Sequence, residues 1–328
     1  MVHQTNITQI PNITWLQAIF ISCAASAAST LLCVGLRPQS LFGALLFLLS
    51  PLPLIIAGLS YNALVAALAA LIGCLTLIAT QNSSLALMYG LVAGLPSWLI
   101  CLGAESGTNQ KSALTTGTIV FGICCYVSIL VISTAIILVP DHTNLATYLS
   151  DIIKDSFKAQ IDQSQLQSLT KKDEYLIAVF VRILPHMSAI SFFTMLVSSA
   201  YLGAKTARMS SMLQQRWADF RHLQLPFIAL IAICLALPLS FSNGYIGFGA
   251  EIMTITLSVC FMLQGLAVLH FQLAKSIYWR WLILVSWSAI IIFGFIGLGF
   301  TVLGLADFIF DFRKLRQSNP PSPTSIKL

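Results

Sequence analysis

Apolar runs of about 20 residues constrain this chain more than any other feature of its sequence. The charged residues that bound them are clustered: of 28 Asp, Glu, Lys and Arg residues, 21 lie in 140–175, 204–224 and 306–328. An α-helix needs about 20 apolar residues to cross a bilayer, and lipid offers the backbone no hydrogen-bond partner. Charged residues make up 9% of the chain, against about 25% in a soluble domain. A soluble enzyme, a secreted disulfide scaffold and a disordered chain are therefore excluded.

The pattern predicts an all-α polytopic membrane protein, a single integral membrane domain over 1–328 with eight or nine transmembrane helices. Within 41–59, Pro51-Leu52-Pro53 removes two backbone donors and predicts a break or a re-entrant turn. The last run is rich in glycine and is expected to bend. The expected spans are 15–36, 41–59, 61–80, 83–103, 114–139, 176–203, 225–242, 249–274 and 281–306.

The segment 204–224 predicts how the chain is oriented in the membrane. It has one Asp and four cations, namely Lys205, Arg208, Arg216 and Arg221. Short loops rich in Lys and Arg stay in the cytoplasm, so we expect this loop there. The polar insert 140–175, whose four lysines are balanced by six acids, then lies outside the cell. The polar C-terminal tail, 313–328, is also basic, and a single crossing by 281–306 would place it outside, so the orientation of the termini stays open.

The 204–224 segment also has an amphipathic pattern. Met209, Leu213, Trp217 and Phe220 follow helical spacing, and the basic residues surround this stripe. Such a pattern is typical of an interfacial helix that contacts anionic membrane lipids. The same face could instead dock a cytoplasmic subunit.

Ionisable residues inside the apolar runs are the first candidates for a binding site, because each is costly in a bilayer and must face protein or water. Arg182 and His186 are four residues apart, so both project from one helical face. Pro185 has no N–H and leaves the Val181 carbonyl free beside them. This group predicts a site for an anionic or polar ligand; the alternative is that Arg182 extends to the interface. Glu251 is expected to open its span, where an acid also complements the helix dipole.

Two further polar residues, Gln264 and His270, follow in the same span as Glu251. They lie on different helical faces, so a ligand site made by these two alone is not expected. Asp307 and Asp311, at the end of the last span and followed by basic residues, favour an interfacial anchor. The candidate ligand-binding residues are Arg182, His186, Glu251, Gln264 and His270.

The sequence lacks the common catalytic and nucleotide-binding motifs. It contains no Gly-x-Ser-x-Gly, His-Glu-x-x-His, phosphate-binding Walker loop or paired intramembrane Asp motif. We therefore expect no enzyme activity, catalytic residue, cofactor, metal site or nucleic-acid partner. The eight cysteines lie in or beside apolar runs without a Cys-x-x-Cys pair, which favours small buried hydrophobic side chains.

A series of short segments resembles the YybS-like predicted membrane proteins, a bacterial family without an assigned activity. The resemblance covers most of the chain, and its most specific element is the segment from Gln264 to His270. The segments are Pro51-Leu52-Pro53, Arg182-Ile183-Leu184-Pro185, Ala200-Tyr201-Leu202-Gly203-Ala204-Lys205, Leu223-Gln224-Leu225-Pro226, Gln264-Gly265-Leu266-Ala267-Val268-Leu269-His270, Leu303-Gly304-Leu305-Ala306-Asp307 and Asp311-Phe312-Arg313.

This resemblance implies a bacterial inner-membrane protein with multiple spans. The family is distantly similar to the S components of energy-coupling factor transporters, which capture vitamins or metal ions and depend on a membrane coupling subunit and paired ATPases. Small residues on the first helix of those subunits dock the coupling protein, and Ala24 and Ala28 match that pattern loosely. The chain departs from their usual six helices by its length and its insert at 140–175.

Two functions are expected from these observations. The first is a transport-type component that binds a small solute in the helix bundle through Arg182 and His186. The alternative is a membrane scaffold that does not transport and recruits a cytoplasmic or membrane partner through its basic loop.

Overall fold

The described residues form an all-α structure. The computed structural model describes 14–35, 41–106, 116–138, 171–212, 219–274 and 277–313, and within these ranges it contains no β-strand. A short π-helix, Gly90–Gly94, joins α5 to α6, and a 3-10 turn, Phe220–His222, precedes α9. The α-helices are α1 (Trp15–Val34), α2 (Leu41–Leu48), α3 (Pro51–Ser60), α4 (Ala63–Thr80), α5 (Ser83–Tyr89), α6 (Leu95–Ser106), α7 (Thr116–Leu138), α8 (Lys171–Met209), α9 (Phe227–Leu239), α10 (Gly244–Leu273), α11 (Trp279–Ile292) and α12 (Ile296–Phe310).

Seven helical segments of the described part are long and apolar enough to cross a membrane. This confirms the prediction of an all-α polytopic membrane protein. The seven are Trp15–Val34, Phe42–Ser60, Ala63–Thr80, Ser83–Glu105, Thr116–Ile137, Arg182–Met209 and Gly244–Leu273.

The two remaining expected spans are not single long helices. At 225–242 the chain forms only the 13-residue α9. At 281–306 it forms α11 and α12, separated by a non-helical break at 293–295. The glycine-rich sequence therefore interrupts the last run completely, where a bend was expected. The described residues therefore contain seven long apolar helices and three shorter ones, Phe227–Leu239, Trp281–Ile290 and Ile296–Phe310.

The predicted break within 41–59 is present. α2 ends at Leu48, and α3 begins at Pro51 after a two-residue turn. Pro51 occupies the first position of α3, where a missing N–H leaves no intrahelical bond unmade. Pro51 therefore starts a new helix within one apolar run.

The amphipathic helix expected over 204–224 is not formed as one element. α8 ends at Met209, and Ser211 adopts a left-handed backbone with φ 55°. Phe220 lies in a separate 3-10 turn that follows an extended Asp219. Met209 and Phe220 therefore share no helix, and Leu213, Arg216 and Trp217 lie outside the described residues. Most of the 140–175 insert and of the 313–328 tail also lies outside them.

Contacts divide the chain into two compact units, which are described separately. Unit 1 comprises residues 1–114 and 194–217, and unit 2 comprises 115–193 and 218–328. α8 contributes residues to both.

Three hydroxyl groups form hydrogen bonds in the interior of unit 1. The Ser22 hydroxyl donates to the Val65 carbonyl at 3.1 Å, and the Ser29 hydroxyl donates to the Ser50 carbonyl at 2.7 Å. The buried Tyr89 hydroxyl in turn donates to Ser29 Oγ at 2.9 Å. These hydrogen bonds give polar side chains a partner in apolar surroundings, where an unpaired polar group is costly.

Unit 2 is built around α10, which packs against α7, α9 and α12. α10 and α12 approach backbone to backbone: a Cβ added at Gly265 would collide with the Phe300 carbonyl, and one added at Gly304 would collide with the Phe261 carbonyl. Only glycine permits this approach. It determines which polar side chains of α10 and α12 meet.

Candidate functional site

A histidine and a glutamate from two apolar helices form the first polar site. His186 lies on α8 and Glu251 on α10, and His186 Nε2 is 3.2 Å from Glu251 Oε2. The side chain of His186 is 14% exposed and that of Glu251 is 38% exposed. The two residues are 65 positions apart in sequence, and both were predicted to bind ligand.

Glu251 does not open its helix, although the sequence predicted that it would. α10 begins at Gly244, so Glu251 is its eighth residue and lies beyond the first turn, which contains no acid. The dipole at the helix N-terminus acts within the first turn. The observed partner of Glu251 is therefore the imidazole of His186.

The other ring nitrogen determines where the histidine proton lies. His186 Nδ1 is 3.0 Å from the carbonyl oxygen of Arg182. A carbonyl oxygen can only accept, so Nδ1 carries a hydrogen and donates it. Nε2 then faces Glu251 Oε2 at 3.2 Å.

Two neighbours complete the surroundings of His186. The ring of Phe248 meets the imidazole edge to face, with 6.3 Å between ring centroids. Arg182 is exposed, and within the described part of the chain its guanidinium makes no hydrogen bond or ion pair. Arg182 therefore lies one helical turn before the His186–Glu251 pair.

A second polar site lies in the interior of unit 2, where α10 and α12 meet. Gln264, Asp307 and Arg313 are 1%, 2% and 4% exposed. Gln264 Nε2 donates to Asp307 Oδ2 at 3.0 Å, and an Arg313 Nη donates to the same oxygen at 2.8 Å. Gln264 Oε1 accepts from the Leu225 N–H at 3.1 Å. This site is a buried ion pair extended by an amide.

The guanidinium of Arg313 also binds the extended segment before α9. It donates to the carbonyls of Arg221 and Leu223 at 2.7 and 2.8 Å. Within the described residues, Asp307 Oδ1 and Arg313 Nε are buried without a partner. The contacts join the end of α12, the segment before α9 and the middle of α10, which is a structural role.

Asp307, which was predicted with Asp311 to form an interfacial anchor, is instead buried beside Gln264 and Arg313. Asp311 adopts a left-handed backbone with φ 45° at the end of α12, which reverses the chain and returns Arg313 to Asp307. Asp and Arg are rarely fully buried unless they are paired, and the pairing of Asp307 with Arg313 was not predicted from the sequence. The sequence contained one indication that Gln264 and Asp307 are buried. Each lies close to a glycine within an apolar run, Gln264 beside Gly265 and Asp307 three residues after Gly304.

The remaining candidates lie elsewhere. His270 stacks edge to face on Phe220 at 5.2 Å, and the Arg221 guanidinium lies 5.6 Å from the centroid of Trp279. Gln264 and Glu251 are thirteen residues apart on α10, or about 20 Å along a helix. The five predicted ligand residues therefore do not form one site.

The structure describes three of the four cations predicted to contact lipid or a partner. Lys205 and Arg208 are exposed in the last turns of α8, and Arg221 is half-buried. Arg216 lies outside the described residues. Within those residues, no group of three His, Cys, Asp or Glu side chains is placed to hold a metal ion.

Comparison with known proteins identifies a family. A model of the family described as "Predicted membrane protein (DUF2232)" matches residues 26–308. No curated protein and no solved structure matches the chain. The resemblance to YybS-like proteins and to S components stays a prediction.

Proposed function

The chain belongs to the DUF2232 family of predicted membrane proteins, and we propose that it is a transport-type component that binds a small solute at Arg182, His186 and Glu251. The observation that carries the proposal is the 3.2 Å contact between His186 and Glu251, which joins two apolar helices. Ionisable side chains within such helices are costly and mark solute or ion paths.

Arg182 gives the proposed site its capacity for a ligand. Its guanidinium, free within the described residues, can donate in a bidentate fork to a carboxylate or phosphate. Gln264, by contrast, already bonds Leu225 and Asp307 inside unit 2. We therefore assign ligand binding to Arg182, His186 and Glu251 and an internal role to Gln264.

The proposed protein is not an enzyme and uses no cofactor. Solute movement would depend on an ion gradient or on partners, namely a membrane coupling subunit and ATPases. Ala24 and Ala28 on α1 are exposed and offer a surface of small residues that allows close helix contact. The proposed location is the inner membrane of a bacterium, with membrane lipids around the bundle and no nucleic-acid partner.

The test is a ligand screen on the full chain purified in mild detergent. Thermal unfolding is recorded with a panel of sugars, amino acids, carboxylates, vitamins and inorganic ions, since a ligand that binds only the folded state raises the transition temperature. We expect at least one class to stabilise the wild type. Arg182→Gln and His186→Gln should abolish that shift while leaving the unfolding transition of the ligand-free protein in place.

His222→Gln is the matched control for His186→Gln. His222 lies in the 3-10 turn of unit 2 and packs edge to face on Phe271, away from Glu251. The ligand-induced shift should persist in this variant. A ligand whose stabilising effect survives in both Arg182→Gln and His186→Gln would refute the proposed site.

A scaffold is the second proposed function, and the exposure of Lys205 and Arg208 at the end of α8 favours it. A partner with an acidic face would bind there by charge complementarity. Mass spectrometry of proteins retained with the tagged chain from native membranes tests this. Reversing both charges with Glu should release such a partner; a partner retained by the reversed variant, at unchanged stoichiometry, would contradict the scaffold.

A further inference from the structure

We propose that Cys124 and Cys260 form a site of reversible oxidation, at which a lipid-soluble quinone converts the two thiols into a disulfide between α7 and α10. The observation that carries the proposal is that the two thiols face each other where these helices pack together. Both residues belong to unit 2, and neither takes part in the solute site proposed above.

Contacts at two positions show how α7 and α10 are paired. The hydroxyls of Ser128 and Thr256 are 2.7 Å apart. One helical turn further along α7, the Ile132 side chain lies 3.5 Å from the position that a Cβ on Gly249 would take. The residue number rises along α7 as it falls along α10, so the two helices are antiparallel.

The next turn of the same contact brings two cysteines together. Cys124 lies four residues before Ser128, and Cys260 lies four residues after Thr256. Residues four apart share a helical face, so both cysteines project into the contact, and their thiols are in hydrogen-bond contact. A hydroxyl and a thiol each extend one bond beyond Cβ. Helices that bring two hydroxyls to 2.7 Å therefore bring the facing thiols within reach of a disulfide bond.

Burial limits which oxidant can reach this pair. Cys124 and Cys260 are both 0% exposed, and each lies well inside a helix that is long and apolar enough to cross a membrane. Charged oxidants such as oxidised glutathione are costly to bring among apolar helices. A quinone is uncharged and dissolves in hydrocarbon, so it can approach the pair from the lipid.

The proposed step leaves no charge behind. Two S–H bonds break and one S–S bond forms, which releases two electrons and two protons. The quinone accepts all four and leaves as a hydroquinone. Both the thiol pair and the disulfide are neutral, so the apolar surroundings disfavour neither state through a buried charge. Added thiols reverse the step by exchange with the disulfide.

Thiol counting on the full chain in nanodiscs tests the proposal. The reduced protein is freed of reductant and incubated with decylubiquinone, with oxidised glutathione or without oxidant, and free thiols are then alkylated and counted by mass spectrometry. We expect decylubiquinone to lower the number of free thiols from eight to six and to yield one hydroquinone for each disulfide. Proteolysis should give one peptide pair that contains residues 124 and 260 and is separated by dithiothreitol. The two other samples should keep eight thiols.

Cys125→Ser is the matched control for Cys124→Ser. Cys125 is the neighbouring residue on α7 and is half-buried, and its variant should still lose two thiols to the quinone. Cys124→Ser and Cys260→Ser should each keep all seven thiols that remain. Cys124→Ala and Cys260→Ala replace them if either serine variant fails to fold.

Three results would overturn the proposal. The first is a wild type that keeps eight free thiols with decylubiquinone. The second is a disulfide that forms through Cys125 or persists when Cys124 is replaced. The third is a disulfide that forms equally fast with oxidised glutathione, which would show that the oxidant does not need to enter from the lipid.

Discussion

Replacing Arg313 by Met is the sharpest test of the buried ion pair in unit 2. The guanidinium donates to Asp307 and to the carbonyls of Arg221 and Leu223, all at 2.7 to 2.8 Å. Met fills similar volume without any donor. Asp307, whose side chain is 1% exposed, would keep only the amide of Gln264, and two carbonyls would lose their partner.

The expected loss of unfolding free energy is about 4 kcal/mol. Removing one partner of a buried ion pair costs about 3–5 kcal/mol, because the remaining charge is left without compensation. Asp307→Asn should cost less, about 1–2 kcal/mol, because Arg313 keeps both carbonyl acceptors. The double variant should be less destabilised than the sum of the two by about 2 kcal/mol, since Arg313→Met then leaves no buried charge behind.

The assay is equilibrium unfolding of the full chain in mixed micelles with increasing SDS, followed by circular dichroism. Arg182→Met is the matched control, because Arg182 is exposed and forms no ion pair within the described residues; a change within about 0.5 kcal/mol is expected. A loss of less than about 1 kcal/mol in Arg313→Met, or a larger loss in Asp307→Asn than in Arg313→Met, would refute this account of the ion pair.

Three further predictions concern helix packing and chain reversal, and the same unfolding assay checks each. Gly304→Ala should cost about 1–3 kcal/mol, because its Cβ would collide with a carbonyl oxygen of α10; Gly299→Ala on the same helix meets nothing within 4 Å and should be neutral or slightly stabilising, so equal effects would contradict the close approach. Asp311→Gly should be tolerated and Asp311→Val should cost about 1–2 kcal/mol, because φ is 45° there; a harmless Val would mean that the left-handed turn is not required. The hydroxyls of Ser128 and Thr256 are 2.7 Å apart, so Ser128→Ala should cost about 0.5–1.5 kcal/mol and the further change Thr256→Val little more; additive losses would show that the two groups do not interact.

The positions of most spans could be predicted from local sequence. About 20 apolar residues leave the backbone no alternative to a helix in lipid, so 61–80 and 114–139 were close to α4 and α7. Pro51 marked the break between α2 and α3 for an equally local reason. The interruption at 293–295 was signalled by glycine, although composition could not distinguish a bend from a break.

The candidate site was predicted as residues but not as a pair. Arg182 and His186 lie four residues apart, so helix geometry alone places them on one face. Glu251 was a candidate too, but its bond with His186 joins residues far apart in sequence and depends on how α8 meets α10 in unit 2. No local pattern contains that information.

The sequence by itself determined that this is a multi-span α-helical membrane protein, because the apolar runs and clustered charges act through solvent and not through particular neighbours. Only the tertiary structure determined that Arg313 is buried. Asp311 reverses the chain, and the close approach at Gly304 places Asp307 beside Gln264. Charges near a terminus look exposed in sequence, and only packing between helices shows which of them are buried.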